Sequence, residues 1–220
     1  MHGVAITGAG IVSTLGRGLR SVADALWHER SGIGVDPERR ERGFRSPLTG
    51  KITGFDPSDV LSRRDRRTMP ECGVQAYAAV QDALQMAGLR VEDLQNENTG
   101  LIFGNDSSIR AAVQQTDVLR EHGSTGRLKS SYVFRTMNSS VTMNLSVLLG
   151  TRGACWTVSA ACSSGSYALG QAANLIRAGQ QDRVICGGAQ EINWQATCSF
   201  DALDAFSGRV DSPEEASRPL

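Results

Sequence analysis

The chain has 220 residues, of which 40% are hydrophobic, and its 23 Lys and Arg residues balance 23 Asp and Glu residues. Zero net charge argues against a protein that binds nucleic acid by neutralising phosphates, and no apolar run approaches the roughly 20 residues that cross a bilayer. With no secretory signal at the N-terminus, we expect a folded, cytoplasmic protein that binds neither nucleic acid nor membrane.

The first segment, GVAITGAGIVS from Gly3 to Ser13, predicts a buried strand that runs into a tight glycine turn. Gly8 and Gly10 fit the start of a dinucleotide-binding fingerprint. However, Ser13 stands where that pattern needs glycine or alanine, and no acidic residue closes a second strand about twenty positions later. The alternative is that the two glycines let two backbone segments approach closely.

The region up to residue 68 predicts little regular structure. Residues 21–28 form a short helix, and residues 33–60, which contain three prolines, form an irregular surface segment. The basic cluster SRRDRRT at 62–68 follows. Two interpretations fit it: a solvated face, or a binding surface for an acidic partner.

Helical periodicity and short apolar runs alternate in the rest of the chain. Helices are predicted over Glu71–Ala87 with a stop at Gly88, and over 109–120, 133–149 and 166–178. Strands are predicted over Thr99–Gly104, 155–159 and 182–188. Strand–helix–strand units with short connections predict an α/β fold with a mostly parallel sheet covered by helices.

The five cysteines are odd in number, irregularly spaced and distant in sequence from the three histidines. This pattern argues against a disulfide framework and against a metal site, so we expect no metal. The default interpretation of each thiol is a small buried side chain, and we expect four of them to serve packing only. These four are Cys72, Cys155, Cys186 and Cys198.

Cys162 differs because it lies in a turn of small residues, 160–165, between a predicted strand and a predicted helix. We call this turn the elbow. A helix N-terminus carries unpaired N–H groups and a partial positive charge, which favour a thiolate and can hold an oxyanion. The sequence therefore predicts that Cys162 is a nucleophile able to attack a thioester carbonyl.

The segment TVSAACSSGS from Thr157 to Ser166 resembles the nucleophile motif of the β-ketoacyl-acyl carrier protein synthases, condensing enzymes of the thiolase superfamily. The resemblance covers essentially the whole chain. It includes the opening VAITGAGIVS, the later GGAQE and FDALDAFS, and the final ASRP. Glu191, Trp194 and Phe200 resemble synthase I more than synthase II. The resemblance implies the N-terminal half of a thiolase-like fold.

The resemblance also implies an acyltransferase that performs a decarboxylating Claisen condensation. An acyl group moves from the phosphopantetheine arm of an acyl carrier protein to Cys162, whose backbone N–H contributes to the oxyanion hole. A malonyl thioester then loses carbon dioxide, and its carbanion attacks the acyl-enzyme, which extends a fatty-acid or polyketide-type chain by two carbons. No separate cofactor is implied. Met137 and Phe200 match residues that line the acyl pocket, and Asp106 or Ser107 falls near the residue that limits chain length.

Acyl carrier proteins are acidic, so the resemblance favours the binding interpretation of the basic cluster. The residues that match the docking region are Arg63, Arg64, Arg67, Arg127 and Lys129. The family also works as a homodimer, and we expect the same here.

The family's two histidines, a lysine and a glycine-rich oxyanion loop lie in its C-terminal half, and none of His2, His28 and His122 matches them. We therefore expect residues 1–220 to be one ketoacyl-synthase domain, truncated before that half and inactive alone. Two alternatives stay open. One is a thiolase or polyketide ketosynthase, and the other is a non-catalytic partner subunit of the chain-length-factor type, which predicts loss of the cysteine.

Overall fold

The computed structural model describes residues 3–218, so His2 and Pro219, the last residue of the ASRP motif, lie outside the described residues. The α-helices are α1 Leu19–Trp27, α2 Pro37–Glu41, α3 Glu71–Ala87, α4 Ile109–His122, α5 Tyr132–Arg135, α6 Ser140–Leu149, α7 Ser164–Arg177 and α8 Trp194–Ala202. The strands are β1 Val12–Ser13, β2 Gly16–Arg17, β3 Ile33–Val35, β4 Leu48–Gly50, β5 Thr99–Gly104, β6 Cys155–Val158 and β7 Arg183–Gly188. Within the described range, no helix combines the length and the apolar character that crossing a membrane requires.

The described residues form two units. The first contains the residues up to Gly10 together with Asp56–Glu191, and it holds α3 to α7 and β5 to β7. The second contains Ile11–Phe55 and the residues from Ile192 onward, and it holds the remaining elements. The chain thus leaves the first unit and returns to it before the elbow is formed.

The first unit is built on a parallel sheet with the strand order β6–β5–β7. Gly104, the last residue of β5, is in register with Val158 of β6 and with Gly188 of β7. The carboxyl ends of the three strands therefore meet at one edge, where the loops that follow them lie close together. This arrangement confirms the predicted parallel sheet.

Every residue of the central strand β5 is buried, because helices cover both of its faces. Leu101 and Phe103 point to one face and join a core of apolar side chains from α3 and α6. Gly104 points to the other face, where a Cβ atom would meet the first turn of α7. Each fully buried apolar side chain of this size stabilises the fold by roughly 1.5–3 kcal/mol. This packing therefore stabilises the edge of the sheet where the carboxyl ends of the strands meet.

The predicted bounds of α3 and β5 are confirmed. Helix α3 ends at Gly88, whose φ of 67° lies in the left-handed region that glycine adopts without strain. The predicted strands near 155–159 and 182–188 are present as β6 and β7, and the helix predicted over 109–120 is α4. Strong periodicity and glycine stops thus located these elements of the first unit.

The prediction of a buried strand at the N-terminus is wrong. Residues 3–11 have no strand assignment, and 82% of Ile6 is exposed. The segment instead lies against α3, because Cβ atoms at Gly8 and Gly10 would come within 2.1 and 1.9 Å of the Ala83 and Ala79 carbonyl oxygens. The close-approach interpretation of the two glycines is therefore confirmed.

Two further predictions need correction. Residues 33–60 contain the β3–β4 hairpin and α2, because Pro37 begins a helix capped by Asp36 rather than preventing one. The helix predicted over 133–149 divides into α5 and α6. The break follows from Asn138, whose carbonyl oxygen accepts a hydrogen bond from the Asn105 side chain at 2.9 Å.

Candidate active site

The elbow follows the end of β6 at Val158 and includes the first two residues of α7. This helix starts at Ser164, two residues earlier than predicted. Cys162 is exposed and comes directly before Ser163, the N-cap of this 14-residue helix. The predicted position of the thiol at an accessible helix start is confirmed. The positive end of the helix dipole favours negative charge at this point.

Backbone strain marks the residue before the nucleophile. Ala161 has a φ of 48°, one of three positive values among the described non-glycine residues. This conformation costs a residue with a Cβ atom about 1–2 kcal/mol, so the surrounding contacts must stabilise it. The composition of the elbow predicted a sharp turn but not this strain.

Ser164 stabilises the elbow from within α7. Its hydroxyl accepts a hydrogen bond from the Ala160 N–H at 2.8 Å and donates one to the Ala161 carbonyl oxygen at 2.7 Å. The Ser163 and Ser164 N–H groups close the turn by donating to the carbonyl oxygens of Ala160 and Ala161, both at 3.1 Å. Two consecutive residues thus fix the backbone on both sides of the cysteine.

Glycines let the start of α7 come close to the sheet. A Cβ atom on Gly104 would lie 2.2 Å from the Ser164 carbonyl carbon, and one on Gly188 would lie 3.0 Å from the Gly165 Cα atom. Any larger residue at Gly104 would displace backbone rather than a flexible side chain. The close contact between strand ends and helix therefore depends on these glycines, which the sequence showed only as strand boundaries.

Asp106, from the loop after β5, reaches the elbow directly. Its carboxylate accepts hydrogen bonds from the Ala161 N–H at 3.1 Å and from the Ser159 hydroxyl. Its own carbonyl oxygen accepts from the Asn138 side chain at 2.9 Å. Asp106 is therefore in contact with both the elbow and the segment between α5 and α6.

The other residues predicted to line the acyl pocket occupy three places. Met137 lies between α5 and α6 with 40% of its surface exposed, next to the Asn138 that binds Asp106. Ser107 accepts a hydrogen bond from the Gln190 side chain at 2.6 Å. Phe200 lies on α8 in the second unit, 49% exposed. The structure thus brings Asp106 to the elbow, while the pocket role of all four residues stays a prediction.

The basic residues predicted to dock a carrier protein are exposed and lie in the first unit. Arg63 and Arg64 precede the short 3-10 helix Asp65–Thr68, which contains Arg67 and contacts α5. Arg127 and Lys129 lie on the segment that leads into α5, where the Lys129 carbonyl oxygen accepts the Tyr132 N–H at 3.0 Å. Both basic stretches therefore border α5, although they are some sixty residues apart in the sequence.

The four remaining cysteines differ from one another. Burial raises the pKa of Cys72 to about 12, with Glu191 adding to the effect, and burial also raises the pKa of Cys186. Cys155 and Cys198 are exposed, so the expectation that they are packed is wrong for these two thiols. Cys155 is the first residue of β6, an edge strand that has a neighbouring strand on one side only. Exposure alone therefore does not single out Cys162.

Within residues 3–218, no three His, Cys, Asp or Glu side chains come together as metal ligands. The two described histidines lie beside carboxylates: His28 is 3.1 Å from Asp24, and His122 is 4.0 Å from Glu121. At the elbow, the structure shows an exposed thiol just before the start of a helix.

Comparisons with known proteins agree with the resemblance seen in the sequence. Residues 1–220 match the family model described as "Beta-ketoacyl synthase, N-terminal domain". The chain is 34% identical over 220 residues to 3-oxoacyl-[acyl-carrier-protein] synthase 1 of Haemophilus influenzae and 33% identical over 221 residues to that of Escherichia coli K12. Each alignment covers 99% of this chain and 54% of the relative.

The fold gives the same result. The crystal structure of a beta-ketoacyl synthase from Burkholderia phymatum STM815 matches with a TM-score of 0.90 at 29% identity. The match covers 100% of this chain and 54% of that one. The implied thiolase-like fold is therefore confirmed, and the chain spans about half the length of the relatives that it matches.

Proposed function

The chain belongs to the β-ketoacyl synthase family, whose N-terminal domain it matches, and from this we propose that Cys162 carries the acyl group in a carbon-chain-extending condensation. The observation that carries the proposal is the exposed thiol at the start of α7. The curated relatives are named 3-oxoacyl-[acyl-carrier-protein] synthases. The proposed substrate is accordingly an acyl thioester on a carrier protein.

The first step is acyl transfer. The Cys162 thiolate attacks the thioester carbonyl carbon, and the carbonyl oxygen takes up the negative charge in the tetrahedral intermediate. The Cys162 N–H stabilises this oxyanion, because the N–H groups on either side of it already donate to other oxygen atoms. The bond between the carbonyl carbon and the carrier sulfur then breaks, and the departing thiolate takes up the proton that Cys162 released.

The second step forms the carbon–carbon bond. A malonyl thioester loses carbon dioxide, and its carbanion attacks the acyl-enzyme carbonyl and expels the Cys162 thiolate. The product is a 3-oxoacyl thioester two carbons longer. We assign none of the described residues to the decarboxylation. In this proposal the chain supplies the nucleophile, Cys162, and the elbow that holds it.

The basic surface around α5 supports carrier-protein binding. Arg63, Arg64 and Arg67 give an acidic partner several charges at one exposed place, and Arg127 and Lys129 extend the surface. The Thr68 hydroxyl donates to the Asn144 side chain at 2.6 Å, which fixes the 3-10 helix to α6. Charges held on a rigid support increase association rates and fix the orientation of the partner.

A non-catalytic role of the chain-length-factor type has less support, because it predicts loss of the nucleophile and Cys162 is present. The proposal further includes a homodimer, no separate cofactor, and one ketoacyl-synthase domain over residues 1–220 as part of a longer enzyme. These three points rest on the family resemblance.

The test is a substitution in the complete protein. Cys162→Ala should abolish elongation of an acyl thioester with malonyl carrier protein, by about 10³-fold or more, because covalent transfer needs the thiolate. Cys155→Ala is the matched control, since it removes a second exposed thiol from the same unit. Elongation that persists in Cys162→Ala would refute the proposal.

A further inference from the structure

Among the described residues, the carboxylate of Asp106 makes a side-chain hydrogen bond that reaches the elbow from a different loop. It accepts the Ala161 N–H at 3.1 Å and the Ser159 hydroxyl, one and three residues before Cys162. Ser164, which also binds this backbone, belongs to the elbow itself. Asp106 therefore ties the nucleophile to the end of β5.

The residue that Asp106 binds is the strained one. Ala161 holds a φ of 48°, which alanine adopts rarely outside tight turns. A charged acceptor makes a hydrogen bond roughly twice as strong as a neutral one. The carboxylate is thus suited to keep Ala161 in a conformation that its own side chain disfavours, and that conformation sets the direction of Cys162.

Asp106 is itself held on two sides. Its carbonyl oxygen accepts from the Asn138 side chain at 2.9 Å, and the Asn138 carbonyl oxygen accepts from Asn105 at the same distance. Asn105 is 1% exposed, and its N–H donates to the Val158 carbonyl oxygen at 3.1 Å. The carboxylate is therefore presented from the end of the sheet and not from a free loop.

We infer that Asp106 is a positioning residue, which holds Ala161 in the left-handed conformation and so aims the Cys162 sulfur at the incoming carbonyl. The inference rests on the proposed function of Cys162. It differs from the predicted role of Asp106 near the chain-length limit, because it concerns the elbow and not the wall of the acyl pocket.

Kinetics of acyl transfer test the inference in the complete protein. The probe is hexanoyl-N-acetylcysteamine, and the rate of Cys162 acylation is followed by mass spectrometry. Asp106→Ala and Asp106→Leu, which remove the acceptor, should lower the saturating rate about 10- to 100-fold. The KM should stay within about threefold, because the substrate does not contact the carboxylate in this account.

Asp106→Asn is the rescuing variant. Its amide oxygen can accept the same two hydrogen bonds, so the rate should stay within roughly fivefold of the native protein. Asp117→Ala is the matched control, since it removes an exposed carboxylate that pairs with Arg120 on α4. Equal loss in the Asn and Ala variants, or native rates in the Ala and Leu variants, would overturn the inference.

Amide hydrogen exchange gives a readout that does not depend on catalysis. In Asp106→Ala, the peptide that contains Ala161 should exchange about 10- to 100-fold faster, while Asp106→Asn should resemble the native protein. Cys72 is 3% exposed, so iodoacetamide labelling of its thiol would show that Asp106→Ala has unfolded. In that case Asp106→Leu is used instead of the Ala variant. Absence of acylation in the native protein refutes the proposed function, whereas unchanged exchange refutes the positioning role.

Discussion

Two cysteines of the first unit lie at helix starts, yet their surroundings are opposite. Cys72 is the second residue of α3, 3% exposed, and burial raises its pKa to about 12, with Glu191 adding to the effect. Cys162 comes two residues before α7 and is exposed. A position at a helix N-terminus therefore does not prevent burial from raising the pKa of a thiol.

The difference arises from what packs on each helix start. The first turn of α3 joins the apolar core with side chains of α6 and β5. The first turn of α7 instead meets glycines at the ends of β5 and β7, which leave the preceding residues outside the core. Small residues next to α7 thus account for an exposed thiol, and large apolar ones next to α3 account for a buried thiol.

A methyl group added at the end of β5 should displace the start of α7 and disturb the elbow. We expect this change to have a larger effect than the changes that follow. Gly104→Ala places a Cβ atom 2.2 Å from the backbone of Ser164, which should cost about 2–3 kcal/mol of unfolding free energy. Because the start of α7 must move, acylation of Cys162 should also fall strongly. Denaturant unfolding and acylation rates measure both effects.

Gly170→Ala is the control for that change. Gly170 lies within α7 with open space at the position of a Cβ atom, so alanine should stabilise the helix by about 0.5–1 kcal/mol. If Gly104→Ala were as stable and as readily acylated as Gly170→Ala, close packing would not explain the open elbow.

Reversing the charge of the basic cluster distinguishes binding of the carrier protein from reactivity of the Cys162 thiol. Changing Arg63, Arg64 and Arg67 to Glu should lower kcat/KM for an acyl carrier protein substrate about tenfold, roughly 1.4 kcal/mol. Acylation by a small thioester should not change. Steady-state kinetics at two salt concentrations measure the effect, which salt should reduce.

Reversal of Arg20, Arg120 and Arg177, all exposed, is the matched control because the net charge changes by the same amount. An equal loss in both triple variants would show that net charge matters and that the position of the cluster does not.

Cys72→Ala should have the smallest effect of these changes, on the unfolding free energy at high pH. An ordinary cysteine thiol has a pKa of 9.0, whereas the pKa of Cys72 is about 12. Its contribution to stability is complete below pH 9 and is lost as the pH rises towards 12, because only the unfolded chain releases the proton. The slope is at most about 1.4 kcal/mol per pH unit. Denaturant unfolding between pH 9 and 10 should therefore show a shallower loss in Cys72→Ala than in the native protein.

Cys198→Ala, which removes an exposed thiol, should keep the native slope. A native slope in Cys72→Ala would mean that the α3 thiol ionises as readily in the folded protein as in the unfolded one.

The sequence predicted the elements that repeat a strong pattern and missed those set by distant contacts. The periodicity over Glu71–Ala87 and the apolar run Thr99–Gly104 fixed both elements to the residue. The break at Asn138 was missed because its cause is a hydrogen bond to Asn105, 33 residues away. The prediction of a buried N-terminal strand is wrong because apolar composition does not say whether a strand partner exists.

The same limit applied to the site. Small residues between strand and helix were sufficient to locate Cys162 at an accessible turn. The hydrogen bond from Ala161 to Asp106 joins residues 55 positions apart, and nothing local in either segment predicts it. The positive φ of Ala161 was equally hidden, since alanine has no sequence signal for the left-handed region.

Mapping an acyl group onto the five thiols tests whether Cys162 is the residue that carries it. The protein is incubated with an acyl carrier protein thioester, digested, and analysed by peptide mass spectrometry. We expect one acyl group per chain, on the peptide that contains Cys162, with none on the peptide that contains Cys72. An acyl group on Cys155 or Cys198, with Cys162 unmodified, would show that Cys162 is not the acyl-carrying residue.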